Sequence, residues 1–382
     1  MLLAKIFKNN RVEKRLKSIT FKKYIFSPPY SSWRANLYVS MFTEFGCESL
    51  AVHYLMRDIR NNFPEYRIIV LGWNDRHFLY SDLCDEFWEI DKEFMWLREH
   101  SRAFSHNSIN LKWLEASVAK MGHSLNMSQL SKMCLRCRCT DCNEIVFSSK
   151  KAKSCRKCGS YRMEQSLLSD PHTHKRFYTP IGKISEEKMA IAKSIVGDKK
   201  TIALFARKRE AYGRNLPWSF YDKLIDYLHE NGFQVVWLGE RTSVAQIERT
   251  DIIDLVNLKE GSGLELTLAI LSLCEMSIQF WTASTRLSAM VGTPFLLIES
   301  PDQIVGNGQE GIRLCLTSDP HKNKLVFCNY ISFTNNIDIA PKLMGEAALR
   351  LLAGNTEDEI GFVDDVETVR NSISYSTFWN KQ

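Results

Sequence analysis

Long apolar runs are missing from this chain. None approaches the ~20 residues that a helix needs to cross a bilayer core, which excludes a membrane-spanning helix. Charge of one sign is also scarce: 50 Lys+Arg stand against 44 Asp+Glu, a mild net of +6. There is no internal repeat, no low-complexity segment and no Asp-x-Asp metal motif ahead of a strand. Asp364-Asp365 lies in an acidic tail segment and reads as solvated surface. No secretory leader is recognisable, the 11 cysteines are odd in number, and a chain of this length can build its own core. A disulfide framework is therefore not expected, and a reducing cytoplasm is. With 45% hydrophobic and 11% aromatic residues over 382 positions, the composition suits a globular protein of two domains.

What is present concentrates at strand ends. Leu271 to Ile278 reads as a buried strand. Phe280-Trp281-Thr282-Ala283-Ser284-Thr285-Arg286 then offers small and hydroxyl residues where a helix should begin, and Gly292-Thr293-Pro294 precedes a second apolar run, Phe295 to Ile298. A helix N-terminus carries unpaired N–H groups and partial positive charge, so it can hold a phosphate. Thr282, Ser284 and Thr285 add hydroxyl donors and Arg286 a full charge; an ordinary capped strand-to-helix turn fits the same residues. Upstream, Thr201 to Ala206 is a continuous apolar run typical of a buried parallel strand. Arg207-Lys208-Arg209 comes directly after it, and Arg214 stands a little further on. Trp218 to Glu230 has the 3–4 spacing of a helix through Phe220, Leu224, Ile225 and Leu228, with Gly232 as its stop. Gln234 to Leu238 is the next strand, ending in Gly239-Glu240-Arg241. Charge, Gly and Ser/Thr at successive carboxyl ends of strands suit an anionic ligand on an open α/β sheet.

These residues carry a resemblance. Trp218, Leu224, Leu228, Gly232, Val235 and Gly239, then Ala289, Gly292 and Pro294, match the pattern of the donor-binding domain of GT-B glycosyltransferases, nearest the heptosyltransferase type. In the first half, Asn36 to Met41 reads as a strand. Thr43-Glu44-Phe45-Gly46-Cys47-Glu48, a helix from Ser49 to Asn61, Phe63-Pro64 and a strand from Arg67 to Leu71 resemble the opening of the N-terminal domain of that family. The turn is also similar to a GEFGWEL pattern of less characterised GT-B transferases, with both glutamates kept. The family loop carries Asp and His where this chain has Trp281 and Arg286, so the donor sugar of the family is not implied.

The resemblance implies two Rossmann-like α/β domains facing a cleft and a nucleotide-sugar co-substrate. It implies a glycosyltransferase, inverting and independent of a catalytic divalent metal. Glu44 or Glu48 would take the proton from the acceptor hydroxyl. Arg207, Lys208, Arg214 and the Thr282–Arg286 turn would meet the departing diphosphate. Gly239 and Glu240 line the same donor side, and Glu240 and Glu265 are candidates for bonds to donor hydroxyls. Two acceptors fit: a surface polysaccharide or lipid-linked glycan, or DNA carrying hydroxymethylated bases. A non-catalytic zinc-ribbon nucleic-acid-binding protein is the reading outside the enzyme class.

Six of the cysteines cluster. Cys139-x2-Cys142 and Cys155-x2-Cys158-Gly159 have the spacing of a zinc ribbon, with Cys134-x2-Cys137 as an alternative first knuckle. A structural Zn2+ with no open position is expected. Arg136, Arg138, Lys150, Lys151, Lys153, Arg156 and Lys157 make the segment basic, as solvated surface or as a contact for phosphates of a nucleic acid or an anionic glycan. Cys47, Cys84, Cys274, Cys315 and Cys328 sit among apolar residues and are expected as buried thiols.

The expected organisation is a basic arm over 1–30 and an acceptor-side domain over 31–185 with the ribbon at about 125–165. A donor domain comes next over 190–345, then a helix and tail over 346–382 that cross back. The arm, with Lys5, Lys8, Arg11, Lys14, Arg15, Lys17, Lys22 and Lys23 against Glu13 and an apolar stripe, suits an anionic membrane surface or a nucleic acid, and equally a helix packed on the body. The first of these implies a peripheral place at the inner membrane face.

Overall fold

The computed structural model describes residues 21–26, 35–42, 56–91, 109–126, 134–148, 151–169, 183–206, 216–239, 247–257, 263–280, 283–298, 325–327 and 340–353. The chain divides into two units, Met1–Lys175 with Ile181–Lys183, and Arg176–Pro180 with Ile184–Gln382.

Unit 1 is built on β1 (Phe21–Ile25), β2 (Ala35–Met41), β3 (Tyr66–Gly72), β4 (Glu86–Ile90) and β5 (His123–Asn126), with α1 (Ile109–Ala119) leading into β5. Their order is β1-β4-β3-β2-β5, and β2 to β5 are mutually parallel. Strands covered on both faces read as unbroken apolar runs, as Leu37, Val39, Ile68, Val70 and Leu71 do here, each nearly free of solvent. Tyr38, Phe42, Trp73 and Trp88 join Leu114 and Val118 of α1 in one cluster on this sheet.

Within the expected basic arm, Phe21–Ile25 is a strand, antiparallel to β4 with Phe21 opposite Ile90. Lys22 and Lys23 hid it in the sequence. An edge strand tolerates lysines because their stems lie along apolar surface while the ammonium stays wet. The Lys23 ammonium sits 4.1 Å from the Trp88 ring centroid and that of Lys22 4.9 Å from Tyr24. Residues 1–20 lie outside the described residues, and so does the apolar stripe expected there.

Asp85 is the charged centre of this unit. Its carboxylate is almost wholly buried, accepts both terminal nitrogens of Arg60 at 2.8 and 2.9 Å, and accepts the Ile68 N–H at 2.8 Å.

The second sheet of unit 1 is small and antiparallel: β6 (Cys134–Cys139), β7 (Ile145–Ser148) and β8 (Met163–Ser169) in the order β7-β6-β8. Arg136 on β6 joins it to the body. Its guanidinium carbon lies 5.3 Å from the Phe63 ring centroid and its terminal nitrogen 3.7 Å from Glu65.

Unit 2 runs α2 (Glu186–Val196), β9 (Thr201–Phe205), α3 (Trp218–Glu230), β10 (Gln234–Trp237), β11 (Ile253–Asp254), α4 (Gly263–Leu273), β12 (Met276–Phe280), α5 (Ala283–Val291), β13 (Phe295–Ile298), β14 (Leu325–Phe327) and α6 (Ala340–Leu352). The six strands are parallel in the order β11-β10-β9-β12-β13-β14. Helix α3 buries Phe220, Leu224, Ile225 and Leu228, the positions its period picks out. It ends where Gly232 donates to the His229 carbonyl and Phe233 to that of Leu228, at 2.9 and 3.0 Å. Helices α2 and α4 pack together, as do α3 and α6. Gly345 of α6 lies so close to α3 that an added Cβ would meet the Tyr227 ring at 2.2 Å. The tail beyond Ala353 lies outside the described residues.

One expectation fails here. Leu271 to Ile278 is not a single strand: Leu271 to Leu273 close α4, Cys274-Glu275 turn, and β12 begins at Met276. Helix α4 buries Leu266 through Leu271 without a break, so its composition is that of a buried strand. Periodicity cannot separate the two when every side is apolar. Of the five thiols expected to be buried, Cys84 and Cys274 are, and Cys47, Cys315 and Cys328 lie outside the described residues; burial pushes the Cys274 thiol up to about 12.

Removing Arg60 would leave the Asp85 charge buried without its partner. Arg60→Ala should lower unfolding free energy by roughly 3 to 5 kcal/mol, read by denaturant or thermal unfolding. A loss within a few tenths would mean that water satisfies Asp85.

Candidate functional site

Strand order decides where a crevice can lie. In unit 2 the first strand in sequence, β9, lies beside the fourth, β12, and their outgoing connections run to opposite sides of the sheet. In unit 1, β2 likewise lies beside the fourth of its parallel strands, β5, which is the edge of that sheet. Outside the carboxyl ends of such a pair a crevice opens, and α/β sheets take their ligands there.

The residues singled out from the sequence come directly after these strands. Glu44 and Glu48 come just after β2, Arg207, Lys208 and Arg214 after β9, and Thr282, Ser284, Thr285 and Arg286 after β12, while Gly239 and Glu240 come after the neighbouring β10. Glu44, Glu48, Arg207, Lys208, Arg214, Glu240 and Thr282 lie outside the described residues, as do the side chains of Thr285 and Arg286. Gly239 has φ 142, and Ser284 is half-buried in the first turn of α5. Glu265, considered for donor hydroxyls, accepts the Ser185 backbone N–H at 2.8 Å and steadies the start of α2, which Ser185 caps.

Under α5 lies a buried polar cluster. Ser288 Oγ lies 2.8 Å from Ser277 Oγ and accepts Gln279 Nε2 at 3.1 Å, and all three residues are shut off from water. Thr293 Oγ1 donates to the Leu271 carbonyl at 2.6 Å, closing the far end of the helix. Buried hydroxyls and amides demand partners, and these partners fix α5 on β12, aiming its N-terminus along the strand's exit. Polar residues inside an apolar run could have signalled it.

Arg249 does comparable work beyond β10. It donates to Asp222 at 2.7 Å, Asp226 at 2.8 Å and Asp251 at 2.6 and 2.9 Å, tying residues 249–251 to α3. This pairing holds the Asp251 carboxyl down at about 2. Glu240 and Arg241 belong to the connection that this clamp ends.

The cysteine geometry selects one knuckle pair. Sγ atoms of Cys139, Cys142, Cys155 and Cys158 all lie within 4.8 Å of one another. Cys139 and Cys158 are 3.5 Å apart, and Cys142 and Cys155 are 3.6 Å apart. Zinc with four sulfurs at about 2.3 Å sets sulfur pairs about 3.8 Å apart, so the group could hold such an ion. Cys137 points elsewhere, buried in β6 opposite Val146 and Gln165, which removes the alternative first knuckle. Each knuckle is closed by its own backbone: Cys139 N–H bonds Glu144 O and Asn143 N–H bonds Cys139 O, both at 2.9 Å, while Cys155 N–H bonds Ser160 O at 2.7 Å and Gly159 N–H bonds Cys155 O at 2.9 Å. Gly159 takes φ 76, the left-handed conformation that the turn after the last cysteine requires.

The thiols crowd one another. The Cys158 and Lys157 N–H groups bring Cys155 down to about 7. At Cys158 the Ser160 N–H favours the thiolate, but the thiols of Cys142, Cys139 and Cys155 together with desolvation push it up to about 12. Four thiolates at this spacing need a cation among them.

No protein-family model matches this sequence, and no curated protein does. Solved structures do. A family 9 glycosyl transferase from Veillonella parvula DSM 2008 superposes with TM-score 0.51 at 13% identity over 85% of this chain and 99% of that one. The ADP-heptose LPS heptosyltransferase II of E. coli gives 0.52 at 15% identity, over 84% and 99%. The two larger sheets and their strand orders thus compose the mixed α/β fold of these GT-B glycosyltransferase structures, to which the three-stranded cysteine ribbon is a small addition.

Proposed function

We propose that this protein is a glycosyltransferase that moves a sugar from a nucleotide-sugar donor to an acceptor hydroxyl. The observation that carries the proposal is the strand order of unit 2, where β9 lies beside β12 with diverging exits; cations follow β9 in the sequence, hydroxyls follow β12, and carboxylates follow β2 of unit 1. The fold likeness to structures described as glycosyltransferases supports it.

The chemistry is a single displacement. The acceptor oxygen forms a bond to the anomeric carbon while the bond from that carbon to the donor phosphate breaks, and the nucleoside diphosphate leaves with the electron pair. One step of this kind inverts the configuration. Glu44 takes the acceptor proton, with Glu48 as the alternative base. Arg207, Lys208 and Arg214 meet charge developing on the diphosphate, and the N–H groups opening α5 meet it from the other side of the switch point, with Ser284, Thr285 and Arg286 beside them. Gly239 and Glu240 border the donor. No divalent cation enters the reaction, so a rate that depends on added Mg2+ or Mn2+ would overturn that part.

The acceptor in this reading is a surface polysaccharide or lipid-linked glycan, reached from the inner membrane face. Among the described residues no helix is long and apolar enough to cross a membrane, so such a place would be peripheral. DNA with hydroxymethylated bases is the second reading, and the basic cysteine ribbon favours it. The four-cysteine group holds a structural Zn2+ in either case, with no position open to substrate.

Thermal stabilisation by UDP, GDP, ADP, CMP or dTDP and their sugars tests the donor site. At a hundredfold excess over Kd, one of them should add about 2.7 kcal/mol of stability and raise Tm by several degrees. No shift with any of them would sink the transferase. Glu44→Gln should then cut transfer at least ~100-fold with nucleotide binding intact. Near wild-type turnover would remove Glu44 from the mechanism.

Metal analysis should find close to one zinc per chain, lost with Cys155→Ser or Cys158→Ser together with stability of the ribbon. A ribbon that keeps its structure after full chelation would refute the structural role.

A further inference from the structure

We infer that the exposed face of the cysteine ribbon over residues 151–162 binds a nucleic acid strand. This inference rests on the ribbon alone and stands or falls apart from the transferase reading.

Charge is the first observation. Lys151, Lys153, Arg156, Lys157 and Arg162 fall within residues 151–162, and that stretch has no acidic residue. All five are exposed. Lys157 reaches Glu144 at 3.3 Å and Arg162 reaches Asp141 at 3.6 Å, but pairs this exposed are weak and open readily to a competing phosphate.

The second observation is an aromatic ring left in water among those cations. Tyr161 is 82% exposed, the most open of the large hydrophobic side chains among the described residues. Flexibility does not explain it, because the backbone on either side is pinned. Ser160 O accepts the Cys155 N–H at 2.7 Å, Ser160 Oγ accepts the Arg162 N–H at 3.0 Å, and Arg162 O accepts the Thr140 N–H at 3.0 Å. Gln165 Nε2 holds the Ala152 carbonyl at 2.9 Å, fixing the lysine-bearing end of the loop to the start of β8. The ring therefore stands on a rigid turn, with Arg162 next to it in sequence and Arg156 and Lys157 a few residues before.

A fixed aromatic platform flanked by cations matches one partner chemistry: phosphates to pair with the cations and flat bases to stack on the ring. An anionic glycan satisfies the cations but offers no flat base to the ring.

Binding of a fluorescent oligothymidylate of about 20 nucleotides to the zinc-loaded full chain tests the inference. The wild type should bind with affinity that falls steeply as salt rises. Tyr161→Ala should weaken binding roughly 5- to 150-fold, and Tyr161→Phe should retain it. Lys151→Ala, Lys153→Ala and Arg156→Ala combined should lower the log–log salt slope by about 2. Zinc content of each variant reports whether the ribbon is intact. Absence of binding at about 50 mM salt would overturn the inference. So would a Tyr161→Ala protein with unchanged affinity. If Tyr161→Ala weakens binding of heparin, a sulfated polymer without bases, as much as that of the oligonucleotide, the face is a glycan site and the inference fails.

Discussion

Parallel pairing of β9 with β12 is the constraint on which the rest of unit 2 depends. Ile278 lies opposite Leu204, and Gln279 opposite Phe205, in a ladder shut off from water on both faces. Parallel neighbours cannot be joined by a hairpin, so each strand must leave through a crossover and return from the same end. Because β9 sends its chain toward β10 and β12 sends its chain toward β13, the two exits diverge. Burial of the two strands thus sets where the polar segments beyond them begin. In unit 1, β2 and β5 are likewise parallel neighbours, with β5 at the edge of the sheet.

The same burial explains the small polar cluster under α5. A helix that lies on a buried strand can slide along it unless something directional resists. Ser277, Gln279 and Ser288 supply that direction, since their hydrogen bonds have one good geometry where apolar contacts have many. In unit 1 the Arg60–Asp85 pair does the corresponding work between the helical residues 56–62 and the third strand.

Much of this was legible in the sequence where period, stop signal and ligand spacing agreed. Trp218 to Glu230 forms a helix over the bounds read from its apolar spacing and Gly232, and Phe295 to Ile298 forms the strand expected. The two Cys-x2-Cys pairs have the spacing of knuckles, and Cys137 departs because it lies inside β6, paired with Val146 and Gln165, while Cys139 ends that strand at the turn. Illegibility had physical causes. Helix α4 is apolar on every side and carries no period. Strand β1 is short and wears its lysines on aromatic rings, so its charge looked like solvent exposure. The partners of Ser288 and Arg249 lie in other elements, and one sequence read alone offers no covariation to join them. The residues after β2 and β9 that would carry the chemistry lie outside the described ones.

The ribbon differs from the two larger sheets in the distances along the chain that its pairings span. Strands β6, β7 and β8 lie within one short stretch, whereas β1 must wait for β4 and β9 must wait for β12. During synthesis from the N-terminus the ribbon can therefore close while β9 has yet to emerge, given a metal ion for its four sulfurs. A metal ion held there would then act early in the life of the chain, before β9 and β12 of unit 2 can pair.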